Sequence, residues 1–353
     1  MVLRFIVLLE SERLILVSVV KKLLSVLLVF ALVSFCSIGC SKKEQASSEG
    51  PIDVNICALK GPTAIGMTKF MSDVDNGTIK DNNYNFSITA AVDEVAPGLV
   101  QGTIDIAAVP ANLSSVIYNN TDGGVEVLAI NTLGMLYVVE NGDTVSSVED
   151  LRGKTIYASG KGSTPEFALN YILEANGIDP ENDVNIEWKS EHAECLAALT
   201  SDENGIAMLP QPFVATAMNQ DDSIRIAIDL NEQWDILQSD ESTPSAMITG
   251  VVVARKEFIE AHPDAVNAFL SHYNDSVDFV NGNVEEAASI VGSYEIFPEN
   301  IALLAIPQCN IVYIDGQDMK SKLEGYLSVL FDANPESVGG SMPQDDFYYI
   351  SSN

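Results

Sequence analysis

Val54-Asn55-Ile56-Cys57-Ala58-Leu59 is a short apolar run with β-branched residues, and it breaks at once into Lys60-Gly61-Pro62-Thr63. Such a run followed by Gly and Pro reads as a strand, a turn and a helix start. Behind it Ile65, Met67, Phe70 and Met71 recur at helical spacing, with Thr63 the expected cap. The unit then returns. Residues 85–88 read as a strand, 92–99 as a helix, and 105–109 as a buried strand ending at Pro110-Ala111-Asn112. Asn112 is the expected cap of a helix over 113–118, and 125–130 is a further strand. Strands alternating with helices predict the α/β class with a largely parallel sheet.

A second series follows a crossing segment at 136–140. It begins at Leu151-Arg152-Gly153-Lys154-Thr155-Ile156-Tyr157-Ala158 and runs through a helix at 166–176, a strand at 184–188 and a helix at 191–199. A strand at 206–209 ends in Pro210-Gln211-Pro212, and 224–230 is strand-like. The apolar run 248–254 reads as the return crossing, with mostly helical material after Lys256. The expected architecture is two α/β lobes joined by two crossing segments, with a ligand cleft between them. Lobe 1 takes 51–136 and 249–353, including the C-terminal helices; lobe 2 takes 137–248. Phe347-Tyr348-Tyr349 is expected to pack the tail onto the body.

In an open α/β sheet, ligands bind beyond the carboxyl ends of the strands, where helix N-termini present free N–H groups. Four turns occupy such places: Lys60 to Thr63, Pro110 to Asn112, Ser159-Gly160-Lys161-Gly162-Ser163-Thr164, and Pro210-Gln211-Pro212. The candidate ligand-binding residues are therefore Lys60, Thr63, Asn112, Ser159, Gly160, Lys161, Gly162, Ser163, Thr164 and Gln211. In the third turn the glycines let backbone approach a ligand, Ser163 and Thr164 supply hydroxyls, and Pro165 suits a first helical turn. The spacing is not that of a nucleotide-phosphate loop. Lys60, Lys161 and the helix ends favour a small anion or a zwitterion, while Glu166, Glu191 and Glu194 leave a cation open. Tyr157, Phe167, Trp188 and Phe213 either pack in the core or stack on a heteroaromatic ring.

No nucleophile stands with a positioned base, so no catalytic residue is assigned. His192, Glu194 and Cys195 do not share one helix face and have no second ligand cluster, so no metal and no cofactor are expected. With 50 Asp and Glu against 18 Lys and Arg, the formal net charge of −32 excludes a nucleic-acid partner. The composition, 47% hydrophobic, allows an ordinary core. Cys57, Cys195 and Cys309 carry no paired spacing and read as buried free thiols, with one disulfide left open.

Ahead of the body stand Lys21-Lys22, an apolar run from Leu23 to Phe35, and Cys36-Ser37-Ile38-Gly39-Cys40-Ser41. The run is too short to span a membrane and reads as an export signal over 1–39. Ser37-Ile38-Gly39-Cys40 resembles the bacterial lipoprotein cleavage box, which implies lipid on Cys40 and an extracytoplasmic, membrane-anchored protein. Residues 40–50 form the lipidated cysteine and a flexible tether. Glu10, Glu12 and Arg13 interrupt the signal pattern, so 1–19 read as an extension upstream of a start at Val20.

Taken with Leu59 to Thr63, Ala107 to Asn112 and Ser159 to Glu166, the phrase Val148-Glu149-Asp150-Leu151-Arg152-Gly153-Lys154-Thr155-Ile156 resembles the solute-binding lipoproteins of ABC importers. It is similar to the nitrate, sulfonate and taurine group, with its thiamine-pyrimidine-precursor relatives, over roughly residues 51–340. The resemblance implies a type II periplasmic-binding fold that closes on a small solute and docks, as a monomer, on ABC permease subunits. The alternatives it leaves are a pyrimidine-synthesising enzyme on the same fold, or a surface adhesion or signalling lipoprotein.

Overall fold

The computed structural model describes residues 50–89, 92–239 and 245–351; the export signal, Cys40 and nearly all of the tether lie outside them. The described body is a single compact unit. It opens with β1 (Asp53–Leu59), the short α1 (Pro62–Ile65), α2 (Thr68–Asp75), β2 (Asn83–Thr89), α3 (Val92–Gln101), β3 (Ile106–Pro110), α4 (Ala111–Asn120) and β4 (Val125–Leu133). The second series is β5 (Leu136–Asn141), β6 (Thr155–Ser159), α5 (Thr164–Ala175), β7 (Asn185–Lys189), α6 (His192–Ser201), β8 (Ile206–Pro210), α7 (Phe213–Gln220), β9 (Ile224–Asp229) and α8 (Leu230–Gln238). The chain ends with β10 (Ile248–Arg255), α9 (Lys256–Ala261), α10 (Pro263–Gly282), α11 (Val284–Ser293), α12 (Glu299–Ala305), β11 (Ile311–Ile314) and α13 (Gly316–Ala333).

The strands form two sheets, one in the order β11-β4-β10-β3-β1-β2 and the other β7-β6-β8-β5-β9. In the first, β1 runs parallel to β2 and β3, with Asp53 opposite Asn83 and Ile56 opposite Ile106. In the second, β6 runs parallel to β7 and β8. The expected largely parallel layer is corrected at one strand in the second sheet and at two in the first, where the edge strand β11 also lies antiparallel to β4. β10 lies antiparallel to both β3 and β4, and β5 antiparallel to both β8 and β9. The reason is chain direction. Each sheet receives as its fourth strand the segment that has just crossed from the other, and a crossing strand arrives running the opposite way.

Between β4 and β5 only Gly134 and Met135 intervene. A Cβ on Gly134 would collide with Asn231 Oδ1 and Met247 Cε, so the outgoing segment passes directly against the start of α8 and the approach to β10. Asn310 Nδ2 also donates to the Gly134 carbonyl. Beside this junction Trp234 is fully buried between Tyr171 and Tyr326, with ring centroids 4.7 and 5.5 Å away. Its Nε1–H donates to Ser245 Oγ at 3.1 Å, which in turn donates to Gln238 Oε1 at 2.9 Å. A buried indole is thus satisfied while it joins α5, α8 and α13 in one apolar cluster.

Two expected caps are corrected. Thr63 lies inside α1, and its Oγ1–H donates back to the Leu59 carbonyl at 2.8 Å; Gly61 holds the cap position. Asn112 is the second residue of α4, and its Nδ2 donates to the Ser337 carbonyl at 3.1 Å. In both turns a proline fixes the helix start, so the polar residue falls two residues past the cap position. The strand-like reading of 224–230 ends one residue early, because Asp229 accepts from the amides of Asn231 and Glu232 and starts α8. The three described cysteines are free and buried. The tail is packed down: Phe347 is fully buried, and Tyr349 N–H donates to the Val127 carbonyl at 3.0 Å.

Because Gly134 fits only without a side chain, Gly134→Ala is expected to lower stability by about 1–3 kcal/mol through overpacking of the crossing. Chemical denaturation of the two proteins measures this directly, and an unchanged midpoint would mean that the two crossings do not approach so closely.

Candidate functional site

Strands β1, β3, β6 and β8 all point their carboxyl ends toward one place, and the turns that follow them surround a cavity of ≈ 450 Å³. From the first sheet come Lys60, Gly61 and Pro62, then Pro110, Asn112 and Leu113, with Thr249 on β10. The second sheet contributes Gly160, Ser163, Thr164 and Pro165, then His192, and then Pro210 to Phe213. Met135 and Leu136 at the crossing and Phe297 from the loop ahead of α12 complete the wall. The starts of α4, α5, α6 and α7 therefore face a shared space. The first N–H groups of a helix have no partner inside it, and the helix dipole is positive there.

The glycine turn shows how local chemistry shapes the wall. Gly160 has φ 83°, and a Cβ there would stand 2.8 Å from Pro165 Cγ, so the left-handed turn requires glycine. Ser163 donates its hydroxyl back to the Gly160 carbonyl at 2.6 Å, which closes the turn on itself. Thr164 lies at the junction of both lobes: its Oγ1–H donates to Asn112 Oδ1 at 3.4 Å and accepts from Tyr326 OH at 3.2 Å. On the opposite side Gln211, 2% exposed, accepts from Ala215 N at 3.2 Å and donates through Nε2 to Gln308 Oε1 at 3.4 Å.

Of the residues expected at the site, Lys60, Asn112, Gly160, Ser163, Thr164 and Gln211 line the cavity, and Thr63, Ser159, Lys161 and Gly162 do not. Thr63 is turned toward β1. Lys161 and Gly162 are exposed at the tip of the turn. Ser159 is buried directly behind the wall, with its Oγ 2.5 Å from His192 Nδ1. Lys60 is the only charged residue among the described ones that line the cavity, and no carboxylate is among them. None of the three acids considered for a cation lines the cavity; Glu166 accepts from Gly162 N at 2.5 Å and Glu194 from Ser190 N at 2.9 Å. Among the described residues, no group of His, Cys, Asp and Glu converges as a metal site.

His192 was the clearest omission from the sequence-based set. It opens a helix after β7, as the other turns do after their strands, so the same rule applied to Lys189-Ser190-Glu191-His192 finds it. Phe213 lies beside it, ring centroids 5.2 Å apart. Phe297 has no such signal, because it reaches the cavity from an irregular segment.

Burial holds the His192 ring down to about 4, against an ordinary value of 6.5. Between these values the unfolded chain takes a proton on this ring that the folded protein refuses. Stability is therefore full above pH 6.5 and falls as pH drops toward 4, by up to about 3 kcal/mol from this group. His192→Gln should flatten that slope in denaturation curves recorded at pH 7 and pH 4.5; parallel slopes would place the ring in solvent.

Residues 72–295, which span both sheets, match the family described as ABC transporter, phosphonate, periplasmic substrate-binding protein. Among solved structures, an ABC transporter from Parabacteroides distasonis superposes with a TM-score of 0.70 at 21% identity, over 84% of this chain and 98% of that one. The periplasmic aliphatic sulphonate binding protein SsuA from Escherichia coli gives 0.65 at 13% identity, over 84% and 96%. The periplasmic nitrate-binding protein NrtA from Synechocystis gives 0.57 at 14% identity, over 81% and 84%. At such identities the likeness is one of fold. No curated protein sequence matches significantly. Two sheets exchanging crossing strands around a cavity of helix N-termini, together with a family match through both of them, place the chain in the phosphonate periplasmic substrate-binding family of ABC transporters.

Proposed function

We propose that the protein captures a small anion in the cavity between its lobes and hands it to an ABC permease, without chemistry of its own. The observation that carries this is the charge of the lining: one ammonium, Lys60, and no carboxylate, facing four helix starts. An anion entering this space meets favourable partial charges from both lobes, whereas a cation meets none. Asn112, Ser163, Thr164, Gln211 and a neutral His192 add hydrogen-bonding groups that orient the solute. The phosphonate of the family description, the sulphonate of SsuA and the nitrate of NrtA are all anions, which agrees with this reading.

The lobe boundaries that fit the capture mechanism are those of the crossings, with 51–136 and 249–353 in one lobe and 137–248 in the other. Acting as a monomer, the protein would hold its position at the membrane through lipid on Cys40 and the tether 41–50. Among the described residues no helix is long and apolar enough to cross a membrane.

Calorimetry with methylphosphonate, methanesulfonate and nitrate tests the reading. Lys60→Ala should cost about 1.5–3 kcal/mol for whichever anion binds, the value of a charge-assisted hydrogen bond. Lys161→Ala, outside the cavity, should change it by less than about 0.5 kcal/mol. Failure of every anion to bind would overturn the proposal. For the anchor, Cys40→Ser is expected to move the protein from the membrane fraction to the soluble one, and retention at the membrane would reject lipidation there.

A further inference from the structure

Beyond its single charge, the cavity is walled mainly by carbon. Phe213, at the start of α7, packs against the apolar cluster of the second sheet, and Phe297 packs against the separate cluster of the first. Both rings are half-buried, and both line the cavity. Helices α7 and α12, which follow them, pack on each other, so the two rings enter from neighbouring elements of opposite lobes. Leu113, Met135 and Leu136 extend the same apolar surface.

A bare inorganic anion would satisfy Lys60 and the helix starts, yet it would leave these faces against water, which is unfavourable in proportion to the apolar area exposed. The volume of ≈ 450 Å³ is also that of a pocket for an organic molecule. The lining has no carboxylate, so an ammonium on the solute's body would be desolvated without a partner. The polar groups and the apolar surface thus specify different parts of one solute.

We propose that this site, read as an anion receptor as above, selects an organic oxyanion with an uncharged apolar or aromatic body, gripped by Phe213 from one lobe and Phe297 from the other. The anionic head lies toward Lys60 and the helix starts. Phe297 is then the residue on which discrimination by body depends most, since it supplies the first lobe's aromatic face in the cavity, beside the aliphatic Leu113.

Calorimetry on the lipid-free body with phenylphosphonate, methylphosphonate and 2-aminoethylphosphonate separates the possibilities. Phenylphosphonate should bind at least about tenfold tighter than methylphosphonate, because several more carbons leave water. The aminoethyl compound should bind no tighter than the methyl one. Phe297→Ala should bring the phenyl-to-methyl ratio to within about threefold of one, whatever it does to either affinity alone, and Phe297→Leu, which keeps an apolar side chain in the lobe, should leave an intermediate ratio. Equal binding of phenyl and methyl probes, tighter binding of the aminoethyl one, or a ratio unmoved in both variants would overturn the inference while leaving the anion receptor intact. Absence of binding by all three would overturn both.

Discussion

The arrangement depends on a packing constraint at the crossing. One segment must leave each sheet, the two must pass close to one another, and each must insert antiparallel into the sheet that the other has left. At Gly134 the outgoing crossing is packed too closely against Asn231 and Met247 to admit a side chain. Once β5 and β10 are exchanged, the two sheets share one strand order. β2-β1-β3-β10-β4 in the first corresponds to β7-β6-β8-β5-β9 in the second, and β11 is added at the outer edge of β4. Sheets of equal topology related through a common junction point their parallel strand ends at each other. The cavity follows from that geometry before any residue in it is chosen.

The acidic surface and the anion-favouring cavity are compatible because they act over different distances. The acidic charge, formally −32 for the whole chain, is screened within about 8 Å in physiological salt. Lys60, although exposed, lines the cavity together with the helix N–H groups, and these act on a solute at contact distance, well inside the screening length. Burial keeps His192 neutral, so it contributes a hydrogen-bonding edge without a second fixed charge. The sign of the net charge therefore governs solubility and leaves ligand preference to a handful of groups.

Much of this was legible in the residues. The apolar runs at 54–59, 105–109, 155–158 and 206–209 mark the parallel strands, because buried strands are short, continuous and β-branched. The turns after them mark the cavity, because Gly and Pro punctuate the chain where helices must begin. What escaped reading depends on residues distant in sequence. The direction of β5 and β10 is set by which sheet they join, and β11 is a four-residue edge whose partner β4 lies far upstream. Asn112, placed inside its helix, donates to the carbonyl of Ser337, 225 residues along the chain, and Phe297 enters the cavity through tertiary packing alone. Lys161 carried the right charge in the right turn, but two left-handed glycines direct that turn outward.

The two lobes meet across the cavity through uncharged groups. On one side Tyr326, Thr164 and Asn112 form a chain of hydrogen bonds, and on the other Gln308 accepts from Tyr137 OH at 2.9 Å and from Gln211. An ion pair at these places would have to be desolvated on closing and would resist reopening, and its strength would vary with salt. Neutral hydrogen bonds exchange with water at little net cost, of the order of 1 kcal/mol each. Thr164, Asn112 and Gln211 also line the cavity, so a solute that orders their side chains strengthens the contacts that join the lobes. The solute site and the contacts between the lobes thereby share residues. The bridging contacts are individually weak, so a solute that engages groups of both lobes would add free energy comparable to theirs to the joined arrangement.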